Sequence, residues 1–171
     1  MYCNTIWCNT LPTYLDPLIK CQKRAVRVIS GAKKYDHTMP LFKNHQILNL
    51  RKIYVYSVQN FLYKYIHNKL PSIFANFFTL VADVHGHNTR QGTLFRVPMA
   101  KCPQMASALR CSGSKTFNNF TNSINYNCEY ATFKYKVRKT LLDLPHDAVL
   151  VWCSFDWSRL YFSYHLCELY T

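Results

Sequence analysis

The sequence predicts a mainly α-helical fold, a small helical bundle with a loop-rich, weakly β middle segment. Three observations support this prediction. Hydrophobic residues make up 49% of the 171 residues, which is enough for a packed core. Apolar side chains recur at helical spacing on both sides of the middle of the chain. Residues 79–114 lose that periodicity and contain only short runs that suit extended backbone.

The first well-specified helix is predicted from Pro17 to Ser30. Asp16 is a suitable N-cap, Pro17 suits the first helical position, and Gly31 supplies a left-handed stop. At about 100° per residue, one side of this helix is predicted to face the core. Its members are Leu18, Gln22, Ala25, Val26 and Ile29.

The opposite side of the same helix carries four cations within about one quadrant, Lys20, Lys23, Arg24 and Arg27. Cations at this spacing repel one another and destabilise a helix, unless an anion binds to them. Lys33 and Lys34 follow directly and extend the basic stripe. The pattern indicates contact with phosphate groups, and a merely solvated face is the alternative.

The remaining elements follow in order. Thr38 is predicted to cap a short helix, and residues Asn49–Lys69 form a long helix that Pro71 ends, although Ile53–Val58 would also suit a strand. The tyrosines of this helix are expected in the core, with base stacking as the alternative. Ser72–Phe78 is predicted to form a short helix.

In the middle segment, Leu94–Val97 and Ala108–Cys111 are predicted to be extended. Ser112, Gly113 and Ser114 are interpreted as a turn, with Ser114 capping a short helix that runs to Phe120. A final helix is predicted over Cys128–Leu142. Its inward side is expected to consist of Tyr130, Phe133, Val137 and Leu141.

The charge divides the chain into two regions. The net charge is +13, but residues 1–142 hold 20 basic and 4 acidic residues, whereas residues 143–171 hold 1 basic and 4 acidic residues. The first region therefore carries +16 and the second −3. We interpret 1–142 as the main body and 143–171 as an unrelated or frame-shifted tail. The alternative is an ordinary C-terminal helix over Val149–Leu169.

Several classes of site and location are disfavoured by the residue pattern. The eight cysteines leave an 80-residue gap between Cys21 and Cys102, which does not suit a secreted disulfide scaffold. The sequence contains no zinc-site spacing and no apolar run of membrane length, and residues 1–18 lack the basic and apolar regions that we would expect of a signal peptide. We expect an intracellular protein, nuclear or cytoplasmic and not secreted, with free thiols, no metal site, no cofactor and no membrane partner.

A series of short motifs in a fixed order carries a resemblance to a known family. These motifs are Tyr2-Cys3-Asn4-x-Ile6-Trp7-x-Asn9-Thr10, Pro17-Leu18 with Gln22-Lys23-x-Ala25-x-Arg27-x-Ile29, His37-Thr38-x-Pro40-Leu41-Phe42, Ile47-Leu48-Asn49-Leu50-x-x-Ile53-Tyr54, Pro71-x-Ile73-Phe74-x-x-Phe77-Phe78, His87-Asn88-Thr89-Arg90 and Arg110-x-Ser112-Gly113-x-Lys115-x-Phe117-x-x-Phe120. Over residues 1–142 the chain resembles the C-terminal thumb and post-thumb region of a non-LTR, LINE-type (jockey-like) retrotransposon reverse transcriptase. It departs from the family pattern at Cys8, where glycine is usual, and at Phe117, where tryptophan is common.

The resemblance implies a fragment of an RNA-directed DNA polymerase. The parent enzyme uses two Mg²⁺ ions held by palm aspartates, whereas the acidic residues of this chain are scattered, so we expect no catalytic residues here. In the parent, the thumb holds the RNA/DNA template–primer through its backbone, next to the upstream palm and fingers. The resemblance implies that Arg90 and Lys115 join the basic helix in phosphate contacts.

Two further interpretations remain open at this stage. The chain could act as a stand-alone basic RNA- or DNA-binding module without enzyme activity. It could also bind a membrane surface, although the predicted apolar side of the basic helix has no bulky aromatic residue. As a severed piece, the chain is also expected to expose apolar residues such as Trp7, Phe77 and Phe78.

Overall fold

The computed structural model describes residues 4–8, 10, 12–84 and 90–144, and its regular structure is helical. This confirms the mainly α prediction. The helices are α1 (Asn4–Trp7), α2 (Pro12–Ile29), α3 (Thr38–Asn44), α4 (Leu50–Ile66), α5 (Pro103–Ser107), α6 (Leu109–Phe120) and α7 (Tyr130–Asp143). A single 3₁₀ turn covers Ser72–Phe74.

Helix α4 is the centre of the fold. It packs against α1, α2, α6 and α7, and its Val55, Val58 and Leu62 are fully buried. The Asn49 side chain caps its start by accepting a hydrogen bond of 2.8 Å from the Lys52 N–H. The long helix is therefore confirmed and the strand alternative is wrong. The helix ends at Ile66, three residues before the predicted end, because Asn68 adopts a left-handed φ of +52°.

Helix α2 starts at Pro12, five residues before the predicted start, and Pro17 lies inside it. Asp16 is therefore not an N-cap, and this part of the prediction is wrong. The buried Leu15 anchors the early turns to the core, which holds the helix together across the proline. Gly31 has a φ of +62° and follows the end of the helix, as predicted.

The buried side of α2 also differs from the prediction. Leu15 and Val26 are buried and Gln22 is half-buried, with its side chain hydrogen-bonded to Leu48 O and Leu50 N. By contrast, Leu18 and Ile29 are exposed. The helix is rotated relative to the expectation, because Gln22 fixes it onto the start of α4.

Helix α6 includes the segment that was predicted to be a turn. Ser112, Gly113 and Ser114 are helical and buried, and so is Cys111 of the predicted extended segment. The Ser112 hydroxyl donates to the Ala108 carbonyl and the Ser114 hydroxyl to the Arg110 carbonyl. Both buried hydroxyls therefore have hydrogen-bond partners within the helix. Small side chains are needed here because the Phe78 ring lies directly against Gly113.

The segment after α4 is less regular than predicted. Beyond the 3₁₀ turn at Ser72–Phe74, the expected helix to Phe78 does not form, since the aromatic rings of this segment pack onto α4 individually. An isolated antiparallel bridge joins Leu80 to Phe95. Hydrogen bonds from Val81 N to Leu94 O and from Arg96 N to Thr79 O flank the bridge. Residues 94–97 thus pair through one isolated bridge, and no strand forms among the described residues.

Helix α7 forms as predicted, with Phe133, Val137 and Leu141 fully buried and Tyr130 half-buried. Helix α3 also forms, but its N-cap is His37 and Thr38 is its buried first residue.

Cys8, which stands where the family usually has glycine, is buried and does not have a positive φ. Of the predicted tail, 143–171, residues 145–171 lie outside the described residues, and so do residues 85–89 of the middle segment. Among the helices of the described ranges, none is long and apolar enough to cross a membrane.

Candidate nucleic-acid interface

Helix α2 presents its cations on one side that faces solvent. Lys20 and Arg24 are exposed, and Lys23 and Arg27 are half-buried at the edge of the helix contact with the core. At about 100° per residue, all four lie within an arc of about 100°, beside the buried side and not opposite to it. The four cations are therefore grouped as predicted, but the group lies in a different position relative to the core than predicted.

The turn after α2 brings two more cations to the same end of the helix. Arg27 Nε donates to Asp36 O over 3.1 Å, and the Asp36 carboxylate accepts from Lys33 N–H over 2.8 Å. These bonds fold the turn back toward the helix and fix the backbone that carries Lys33 and Lys34. We call Lys20, Lys23, Arg24, Arg27, Lys33 and Lys34 the basic face.

Negative charge near the basic face is sparse. Asp16 lies one turn before Lys20 on the same side of α2, and Asp36 is engaged with a backbone N–H in the turn. Within the described ranges, Lys20, Lys23 and Arg24 form no ion pair. Their charges are therefore not neutralised by that part of the chain, and a phosphate group could approach them from solvent.

The third side of α2 is apolar and exposed. Tyr14 is 69% exposed, Leu18 48%, Val28 81% and Ile29 64%. We call these four residues the apolar stripe. It lies along the same helix as the basic face, so α2 carries a buried, a basic and an apolar side.

Two predicted contact residues belong to other elements. Lys115 is half-buried on α6, and Arg90 is exposed in the segment between α4 and α5. The structure thus brings together six of the eight predicted residues on α2 and its following turn.

Sequence reasoning missed Lys52, which is a buried cation at the start of α4. It is only 6% exposed, and its Nζ donates to Leu144 O over 2.7 Å, at the end of α7. Burial lowers the pKa of Lys52, while nearby Asp143 acts to raise it. The sequence contains no indication of this role, because Lys52 lies next to Arg51 in a pattern typical of an exposed helix start.

Aromatic side chains of α4 mainly pack in the core. Tyr54 and Tyr63 are buried, and their hydroxyls donate to Ser112 Oγ and Cys128 O, respectively. The prediction that these tyrosines lie in the core is therefore confirmed for Tyr54 and Tyr63, and the alternative that these two rings stack on bases is wrong.

No group of three or more His, Cys, Asp or Glu side chains is placed to hold a metal ion in the described ranges.

The chain matches no protein-family model, and no curated protein or solved structure is significantly similar to it.

Proposed function

We propose that the protein binds nucleic acid through phosphate contacts made by the basic face. The observation that supports this proposal is the grouping of six cations on one helix and its following turn, where the described part of the chain places two carboxylates, Asp16 and Asp36. Grouped Lys and Arg side chains release counterions when they neutralise phosphates, which gives sequence-independent affinity. The net charge of +13 adds long-range attraction for a polyanion.

The motif order favours a more specific proposal. Under this more specific proposal, the chain is a thumb and post-thumb fragment of a non-LTR retrotransposon reverse transcriptase and contacts the RNA/DNA template–primer. The basic face would then track the backbone of the duplex, and catalysis would reside in a palm with paired aspartates. The alternative is a stand-alone basic RNA- or DNA-binding module.

A salt titration of binding tests the contact. The Lys20→Ala/Lys23→Ala/Arg24→Ala variant and the unchanged chain are titrated with an RNA–DNA hybrid duplex at several salt concentrations. Since each phosphate contact contributes about 0.9 to the slope of log K against log salt, the variant should lower the magnitude of the slope by about 2–3.

The matched control removes the same number of charges elsewhere. Lys134, Lys136 and Lys139 are exposed on α7, so their alanine variant changes the net charge equally without changing the basic face. Its slope should remain close to that of the unchanged chain. Equal slopes for the two triple variants would contradict a localised contact. Binding to anionic lipid vesicles, with none to nucleic acid, would assign the face to a membrane surface.

Primer extension on an RNA template tests the fragment interpretation. The purified chain should give no extension product with Mg²⁺ and deoxynucleotides, because two-metal catalysis needs converging carboxylates that this chain is not expected to hold. Mg²⁺-dependent extension by the purified chain would contradict the absence of a catalytic site.

A further inference from the structure

The turn after α2 carries an aromatic side chain that lies outside the core. Tyr35 is 87% exposed, which makes it the most exposed aromatic residue of the described ranges. Tyr54 and Tyr63, by contrast, are 2% and 3% exposed and pack among core residues. Core packing therefore does not explain the Tyr35 ring, and a ligand can reach this ring from solvent.

Hydrogen bonds fix the backbone that carries this ring. Asp36 N–H donates to Lys33 O over 3.2 Å, and the Asp36 carboxylate accepts from Lys33 N–H over 2.8 Å. Arg27 Nε donates to Asp36 O over 3.1 Å and joins the turn to the end of α2. Tyr35 lies between the bonded residues Lys33 and Asp36, and a tyrosine ring moves about only two side-chain bonds. Little conformational entropy is therefore lost when a ligand stacks on this ring.

Positive charge surrounds the Tyr35 ring. Lys34 Nζ lies 5.5 Å from the centroid of the ring. Lys33 is two residues away, and since consecutive Cα atoms are about 3.8 Å apart, the Cα atoms of Lys33 and Tyr35 lie within about 8 Å of each other. The nearby carboxylate of Asp36 is engaged with Lys33 N–H. A base stacked on the ring would therefore have cations beside it that can contact its phosphates.

Only an unpaired base can use such a ring. Inside a duplex, the neighbouring base pairs cover both faces of each base, so an external side chain has no face to stack on. A single strand leaves the faces of its bases accessible. Proteins that bind single strands combine a positively charged surface with aromatic side chains on which bases stack. Every base has a π face, so this stacking adds affinity without selecting a sequence.

We propose that Tyr35 stacks on one unpaired base of a single-stranded nucleic acid whose phosphates lie on the basic face. Lys33 and Lys34 contact the phosphates that flank this base. The proposal rests on the proposed function and deepens it, because it names an unpaired strand as the class of nucleic acid. It applies to the reverse-transcriptase fragment and to the stand-alone module alike, since a template–primer also contains unpaired template.

Fluorescence anisotropy of the full chain with two labelled DNA strands tests the proposal. One strand is a thymine dodecamer, and the other has the same sugar–phosphate backbone without bases. Both strands carry the same phosphates, so the difference in affinity measures the contribution of the bases. The unchanged chain should bind the thymine strand about fivefold or more tightly than the abasic strand. The slope of log K against log salt should be the same for both strands, because the phosphate contacts are the same.

Substitution of the ring should remove this preference. Tyr35→Leu keeps an apolar side chain but loses the ring, and it should bind the two strands with affinities within about twofold of each other. Its affinity for an RNA–DNA hybrid duplex should equal that of the unchanged chain. Tyr35→Phe keeps a ring and should retain the preference for the thymine strand. Tyr14→Leu, at a tyrosine of α2 that is 69% exposed, is the matched control and should also retain it.

The outcomes separate this proposal from the proposed function. Equal binding of the two strands by the unchanged chain, or an undiminished preference in Tyr35→Leu, would overturn stacking by Tyr35. A salt slope that falls in Lys20→Ala/Lys23→Ala/Arg24→Ala would support the phosphate contact even then. If the chain binds anionic lipid vesicles and no nucleic acid, both proposals are wrong and the ring belongs to a membrane-binding surface.

Discussion

Small residues in the middle of α6 let this helix pack closely against the ring of Phe78. A Ser-Gly-Ser run usually marks a turn, yet here it forms a helix that packs closely on its neighbours. A Cβ atom on Gly113 would lie 2.9 Å from Phe78 Cζ, so the missing side chain makes room for the ring. The contact joins residues 35 positions apart in the chain, and a local pattern carries no information about such a partner.

Tyr126 provides a test at the scale of a single residue. It is buried, and its hydroxyl donates to Gln59 Oε1, while Gln59 is itself fully buried. Burial raises the pKa of Tyr126 above its ordinary value of 10.0, although the Gln59 contact opposes the shift. The folded state therefore keeps the proton at a pH where the unfolded chain loses it. Stability from this group is fully present below about pH 10 and is lost as the pH rises beyond it.

We expect Tyr126→Phe to destabilise the protein at pH 8 by about 1–3 kcal/mol, because Gln59 loses its buried donor. The difference from the unchanged chain should shrink between pH 10 and pH 12. Urea unfolding at pH 8 and pH 11 measures both effects, and Tyr135→Phe, which is 67% exposed before the change, is the control. A difference that stays constant with pH would contradict the linkage.

At the scale of elements, the sequence predicted α4 and α7 well and α2 poorly. The inward residues of α7 form one continuous stripe, so its orientation followed from periodicity alone. Helix α2 has two apolar sides, and only tertiary contact selects one. Leu18 and Ile29 resemble core residues in the sequence, but Leu15 and Val26 occupy the core. Likewise, the grouping of cations on α2 followed from spacing, whereas their position beside the core did not.

The two apolar sides of α2 can be told apart by substitution. Leu15→Ala should lower the free energy of unfolding by about 2–5 kcal/mol, because it leaves a cavity in the core. Leu18→Gln and Ile29→Gln should change it by no more than about 0.5 kcal/mol. The glutamine variants should also self-associate less, since they shrink an exposed apolar patch. Chemical denaturation and analytical ultracentrifugation provide the two measurements. A large loss of stability in Leu18→Gln would place that side in the core instead.

At the scale of the whole molecule, one apolar cluster connects four of the seven described helices, α2, α4, α6 and α7. It includes Leu15 of α2, Val58 of α4, Phe117 of α6 and Phe133 of α7, and it extends to Phe78 and Phe95 of the connecting segment. The expected exposure of Phe78 is therefore wrong, and Phe77 is half-buried, whereas Trp7 is 38% exposed.

A single shared core predicts one cooperative unfolding transition. Phe133 is fully buried against the rings of Tyr63 and Tyr126, at centroid distances of 4.5 Å and 5.3 Å. Phe133→Ala should lower the free energy of unfolding by about 3–5 kcal/mol, because both the lost burial and the cavity contribute. Tyr135→Ala, two residues along the same helix, removes a ring that is 67% exposed. This variant should change the free energy of unfolding by no more than about 0.5 kcal/mol. Urea unfolding followed by far-ultraviolet circular dichroism measures both variants. A second transition in the unchanged chain, or equal losses in the two variants, would contradict a core shared by α2, α4, α6 and α7.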